Sequence, residues 1–206
     1  SWSYNRSDDV PVLTDIRRIT TDRSGATMHH VCMLWPTETF STRDAFALEV
    51  LEGILKDRID AALREGNLVH PGGIYHSDVV WDCSSSHGVM LVEFATRGDR
   101  AHCEYLIERM LDVISDIVSG PSSELEEDVE DATFFLAHLF LEHYRFSPGA
   151  LSDRILMSLA NGDEDLSRFS SYYDDIRRVT HRMLRAVAAK YLHRDRFVCS
   201  VVRPAL

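Results

Sequence analysis

Apolar side chains recur along most of this chain at one of two spacings, and the spacing changes at visible breaks. From Ala26 to Trp35 (ATMHHVCMLW) they alternate weakly and stop at Pro36, which predicts a strand. Ala45, Leu48, Leu51, Leu55, Ile59 and Ala62 then follow one another at three and four residues. That period predicts a long amphipathic helix over roughly 42–65, opened by Ser41 and Asp44 as a variant capping box and stopped at Gly66-Asn67. Two further strands, Ile74 to Cys83 and Gly88 to Arg97, flank Ser84-Ser85-Ser86-His87. In the second, Met90, Val92, Phe94 and Thr96 share one face and few polar residues interrupt the other, as in a central strand.

Asp99 is placed to cap a helix with the inward stripe Cys103, Leu106, Ile107, Met110, Leu111, Ile114 and Ile117. Gly120-Pro121 ends it. Ser123 with Glu126 reads as a capping box for the next helix, which carries Leu125, Val129, Ala132, Phe135, Leu136 and Leu139 toward Tyr144. A shorter helix follows Ser147-Pro148-Gly149 and reaches Ala160, where Asn161-Gly162 turns the chain; 163–178 read as short helix and loop. Thr180 starts a helix through Leu192, with Met183, Leu184, Val187, Ala188 and Tyr191 inward, and Arg196 to Val202 is a closing strand. Residues 1–26 are polar and without period, so they read as a tether to a folded domain over 27–206. The expected class is α+β: a single, mainly antiparallel sheet of four or five strands covered by long helices.

Composition narrows the functions open to such a domain. The chain has 206 residues, 45% hydrophobic and 27% charged, enough for one large core. Its net charge of −11 lacks the basic footprint of a nucleic-acid partner or a polybasic membrane module. The longest apolar run, Ala132 to Leu141, is half a bilayer span and contains His138, so no membrane helix is expected. The first residues show neither the basic nor the apolar segment of a signal peptide. Cys32, Cys83, Cys103 and Cys199 form no CxxC pair and read as ordinary thiols in a reducing, soluble compartment such as cytoplasm or organelle matrix.

Most candidate chemistry fails on geometry. His138 and His143 flank LFLE but lie five residues apart, about 140° around a helix, and cannot reach one metal ion. His29-His30 on a strand point to opposite faces. Ser84 to Ser86 beside His87 have no nucleophile-elbow pattern around them, and Pro71-Gly72-Gly73 has no helix start behind it to cradle phosphate. TDIRRIT (Thr14–Thr20) and DDIRRVT (Asp174–Thr180) nearly repeat, but their flanks do not match, so the likeness is coincidence. One segment remains, AALREGNLVHPGGIY (Ala61–Tyr75). A helix ends near Arg64, a glycine turn follows, and a strand begins; the paired glycines suit close approach of another backbone, as a strand edge accepting an extended peptide needs.

Four segments, in order and at matching spacing, resemble the C-terminal half of an M16 (insulinase/pitrilysin-type) metallopeptidase. They are FALEVLEGILKDRIDAALREGN (Phe46–Asn67), GVMLVEFATRGDR (Gly88–Arg100), SSELEEDVEDA (Ser122–Ala132) and VTHRMLRAVAAKYLHRDRFVCSVVRP (Val179–Pro204). DVPVLTDIRR and the arginine segment with its Gly-Gly lean toward the presequence-protease branch. The resemblance implies an M16 peptidase-like α+β domain that works on unfolded peptides beside a zinc-bearing half, in the same longer chain or in a partner subunit. The zinc half carries H-x-x-E-H, which this chain lacks, so the resemblance implies no catalytic residue, metal or cofactor here and zinc in the partner. By the same resemblance Arg64 stands where the family has its substrate-binding arginine. His70 stands six residues on, where the presequence branch has tyrosine, and Tyr75 is the nearest tyrosine. The alternative is a catalytically inactive M16-like scaffold or interaction domain.

Overall fold

Every second side chain along His29–Thr37, strand β2, is buried, and the buried row Val31, Met33, Trp35, Thr37 faces the same core as the helix stripes. The computed structural model describes residues 13–40, 42–69, 73–83, 87–160 and 166–205. In chain order the elements are β1 (Arg17–Arg23), β2, α1 (Ala45–Val69), β3 (Ile74–Cys83) and β4 (Gly88–Thr96), then α2 (Arg100–Ser119), α3 (Ser122–Phe146), α4 (Pro148–Ala160), α5 (Ser167–Ile176), α6 (His181–Tyr191) and β5 (Val198–Pro204). The strands form one sheet in the order β1-β5-β2-β4-β3. All its pairings are antiparallel except β1 with β5. The protein is α+β, a mixed sheet with helices packed on it.

Local chemistry explains most boundaries. Asp99 Oδ1 accepts the His102 amide at 2.8 Å and starts α2, whose seven expected apolar positions are all buried. Thr180 caps α6 through the Met183 amide. Met90, Val92, Phe94 and Thr96 lie in the core and β4 is central, as its sequence predicts. No helix among the described residues is long and apolar enough to cross a membrane.

Several expectations are corrected. The stretch read as a tether holds β1, in parallel register with β5 from Arg17↔Val198 to Arg23↔Pro204. All seven of its side chains are exposed, so it carries no alternation to read. β2 passes through Pro36 rather than ending before it. Pairing with β5 stops at Leu34↔Val198, so Pro36 sits where the strand has a neighbour on one side only, the position a strand proline tolerates. Gly66-Asn67 do not stop α1, which runs on to Val69; a glycine costs about 1 kcal/mol in a helix, little for a helix this long and this well packed.

The predicted capping residues also behave differently. Ser41 lies outside the described residues. Asp44 turns away from the helix start and binds Lys190 Nζ at 2.8 Å and Tyr191 Oη at 2.6 Å. Burial raises its pKa, but those two hydrogen bonds outweigh it and hold the carboxyl below its usual range. Pro121 occupies the cap of α3 without a side-chain bond, so the Ser123–Glu126 box does not form there. Phe135 and Leu139 of α3 are 63% and 47% exposed, and Met183 of α6 is 42% exposed, not inward. The two IRR segments take opposite structures: one is strand β1, the other spans the end of α5 and the turn after it.

Candidate functional site

Strand β3 is one edge of the sheet, and α1 packs against it. Four charged residues of alternating sign recur at every fourth position of α1: Glu52, Lys56, Asp60 and Arg64. Four-residue spacing keeps them on one drifting stripe, and that stripe meets β3 in reverse order. Glu52 takes a hydrogen bond from the Trp81 backbone amide. Lys56 Nζ donates to Asp78 Oδ1 at 2.6 Å, and Ser77 Oγ donates to Asp60 Oδ1 at 2.5 Å. Twelve helical residues rise about 18 Å and six strand residues about 20 Å, so helix and strand keep step through the ladder.

Arg64, at the far end of the stripe, is exposed and opens on a groove of about 340 Å³ with Asp60, Leu63, Ile74, Tyr75, His76 and Ser77. Its neighbour Glu65 goes the other way, to Arg109 of α2 at 3.7 Å. Tyr75 is the unpaired residue of a β-bulge, since Ile74 faces Thr96 while His76 already faces Ala95. A bulge re-aims the side chain it carries. Here the Tyr75 ring is 55% exposed, with the Arg97 guanidinium 4.5 Å from its centroid. His76 lies on the other side of the bulge, its Nε2 3.0 Å from Glu93 Oε1. Gly73 takes a positive φ of 64° just before the strand, a conformation glycine adopts without strain.

Of the residues expected to bind substrate, Arg64 and Tyr75 therefore share one groove. His70 lies outside the described residues, as do Pro71 and Gly72. Ser84 to Ser86 do too. The ladder itself was not singled out in the sequence, although alternating charge at four-residue spacing was its signal.

At the other end of β3 a second cavity of about 230 Å³ is lined by Phe40, Glu49, Glu52, Trp81, Asp82, Cys83, Arg154, Met157 and Ser158. Tyr172 Oη donates to Glu49 Oε1 at 2.6 Å, and Arg154 stands 3.9 Å from the same oxygen. Burial raises the Glu49 pKa despite Arg154 and Tyr172. It pushes Glu52 up to about 7, helped by the like charges of Glu49 and Asp78 and opposed by the Trp81 amide and Lys56. Burial also pushes the Cys83 thiol up to about 11, so it is not a ready nucleophile. Among the described residues no group of three or more His, Cys, Asp and Glu is placed to hold a metal ion. The groove at Arg64 offers a fork of cationic donors, a phenol and an exposed strand edge. Those can bind and orient a peptide; they do not include a hydrolytic nucleophile.

No family sequence model and no curated protein matches the sequence. Solved structures do match the fold. A protease from Helicobacter pylori superposes with a TM-score of 0.79 at 14% identity, over 94% of this chain and 46% of that one. A peptidase M16 inactive domain from Pseudomonas fluorescens gives 0.73 at 17% identity, over 96% and 45%. A periplasmic protease from Escherichia coli gives 0.71 at 15%, over 93% and 21%. The chain spans less than half the length of each of these.

Proposed function

We propose that this chain, which has the fold of an M16 peptidase half, is the non-zinc, substrate-clamping half of a zinc metallopeptidase acting on unfolded peptides. Zinc belongs to the partner half, in the same longer polypeptide or in a separate subunit. The supporting observation is the common groove of Arg64 and Tyr75 beside the free edge of β3. An arginine fork keeps its charge at any working pH and can hold a peptide carbonyl or carboxylate. A phenol hydroxyl can donate to an oxygen that gains negative charge as a peptide bond is attacked. In this reading His70, six residues after Arg64 in sequence, supplies a second, pH-sensitive donor to the substrate.

The test is cleavage of an unstructured fluorogenic peptide by the chain combined with its zinc-bearing half. Arg64→Ala is expected to lower kcat/KM by about 10- to 100-fold, the value of a hydrogen bond to a charged group of about 1.5–3 kcal/mol. Loss of that bond leaves the fold alone, since Arg64 is exposed, so the melting temperature should hold. Unchanged kinetics with an unchanged melting temperature would remove the clamp and leave the inactive-scaffold role.

A further inference from the structure

The two cavities lie one beyond the other along β3, between that strand and α1. The lower one ends at Ser77 and the upper one begins at Trp81. Between them stands the Lys56–Asp78 ion pair. In an edge strand, alternate backbone N–H groups point away from the neighbouring strand and are open to another chain. Val79 and Trp81, two residues apart, belong to one such alternate set, and both are occupied by carboxylates of this chain. Asp78 Oδ1 accepts the Val79 amide at 3.0 Å while also holding Lys56, and Glu52 accepts the Trp81 amide.

We infer that Asp78, Lys56 and Glu52 form a removable bar between the two cavities, whose release lets an extended peptide backbone pair with the Val79 and Trp81 amides. This rests on the reading that the edge of β3 handles peptide, and adds how that edge is kept closed. With the bar gone, the open edge from Tyr75 to Cys83 is about 26 Å long and takes about eight extended residues. A peptide carbonyl can replace each carboxylate at its amide, so no donor is left unsatisfied.

The bar is poised to open because one of its members is uncomfortable where it sits. The groups facing Glu52 are Glu49 and Lys56 on α1, Asp78, Asp82 and Cys83 on β3, and Arg154 on α4. Arg154 is turned to Glu49, so Lys56 is the cation that attracts Glu52, and Lys56 is already hydrogen-bonded to Asp78. Swinging out returns Glu52 to water and away from two like charges. Burial pushes its pKa up to about 7, so below neutrality Glu52 holds a proton and stays seated, whereas above neutrality the charged carboxylate is penalised in place and the open position, in water, is favoured. Lys56 keeps its charge across that range, since its pKa is raised by the hydrogen bond to Asp78.

The experiment combines amide hydrogen exchange with peptide binding on the 206-residue chain. The probe is a fluorescein-labelled peptide of about eight alternating threonine and valine residues, long enough for the open edge. In the wild type without peptide, the Trp81 amide should exchange about tenfold faster at pH 8 than at pH 6, after correction for intrinsic exchange, with Val92 in β4 as a control that the sheet is intact. Glu52→Ala should show the fast value at both pH values. Glu52→Ala with Asp78→Ala should bind the probe about tenfold more tightly than wild type at pH 6, and bound probe should protect Val79 and Trp81. Equal Trp81 exchange in wild type and Glu52→Ala at pH 6 would overturn the bar. So would probe binding that leaves Val79 and Trp81 unprotected. Cleavage is no part of the readout, so failure of the Arg64 clamp and failure of the bar are separate results.

Discussion

Arg64 and Glu52 end up with different roles for reasons that begin at the single side chain. Arg64 is exposed at the lip of a groove, where its charge is available to a ligand. Glu52 lies at the closed end of the same helical stripe, where burial penalises its charge. That penalty has a definite sign in stability. With a folded pKa near 7 against an ordinary value near 4.5, the native state holds a proton that the unfolded chain has released between those pH values. Stability from this group is therefore lost as pH rises through that window, by about 2–3 kcal/mol, and stays lost above neutrality. Glu52→Gln should melt near the wild-type temperature at pH 5 and clearly above it at pH 8. Parallel melting profiles for the two proteins would show that Glu52 carries no such penalty. Asp44 is the opposite case: its pKa is held down by Lys190 and Tyr191, so its contribution is present at neutral pH and is lost as pH falls through the folded value.

Among the elements, two glycines show how much depends on what a strand or helix meets. A Cβ on Gly88, at the start of β4, would stand 1.9 Å from the Glu38 carbonyl oxygen and 2.5 Å from Thr37 Oγ1. Backbone would have to move, so Gly88→Ala should destabilise by about 2–3 kcal/mol and lower the melting temperature by about 5–10 °C. A Cβ on Gly53, inside α1, would have no neighbour within 4 Å. Gly53→Ala should instead stabilise by about 0.5–1 kcal/mol, through helix propensity alone. Calorimetry on both variants checks the pair, and a shared sign would contradict the packing described. The same distinction explains α3. Its second half is apolar nearly all round, so spacing pointed Phe135 and Leu139 inward although the buried line runs through Leu125, Val129, Thr133 and Ala137.

At the scale of the whole molecule, the sheet order decides which residues can meet a ligand. β4 is enclosed by β2 and β3, whereas β3 is an edge strand, as β1 is at the opposite side of the sheet, and β3 is the edge beside Arg64 at which another strand can add. The clamp reading assigns catalysis to a zinc half, which gives a prediction for this chain alone. Purified 206-residue protein should hold no stoichiometric zinc, and exhaustive chelation should leave its melting temperature unchanged. One tightly held zinc per chain, or peptide cleavage that survives chelation, would point to a different mechanism.

Amphipathic period and capping chemistry are local, and the sequence alone determined what they control. That includes α2 with its buried stripe and Asp99 cap, strands β3 and β4 nearly to the residue, α6 with its Thr180 cap, and the α+β class. The placement of Arg64 near the end of the first helix and of Tyr75 at a strand start was legible for the same reason. What pairs across distance was not. β1 has no buried face and exists as a strand because β5, far away in sequence, offers it a ladder. The bulge that aims Tyr75 arises only when β3 is laid against β4. Whether four charges on α1 are a solvated face or a ladder depends on what lies opposite them. Charge spacing is the same in both cases, and only the packing of α1 on a free strand edge brings Glu52, Lys56, Asp60 and Arg64 against the backbone they close and the groove they line.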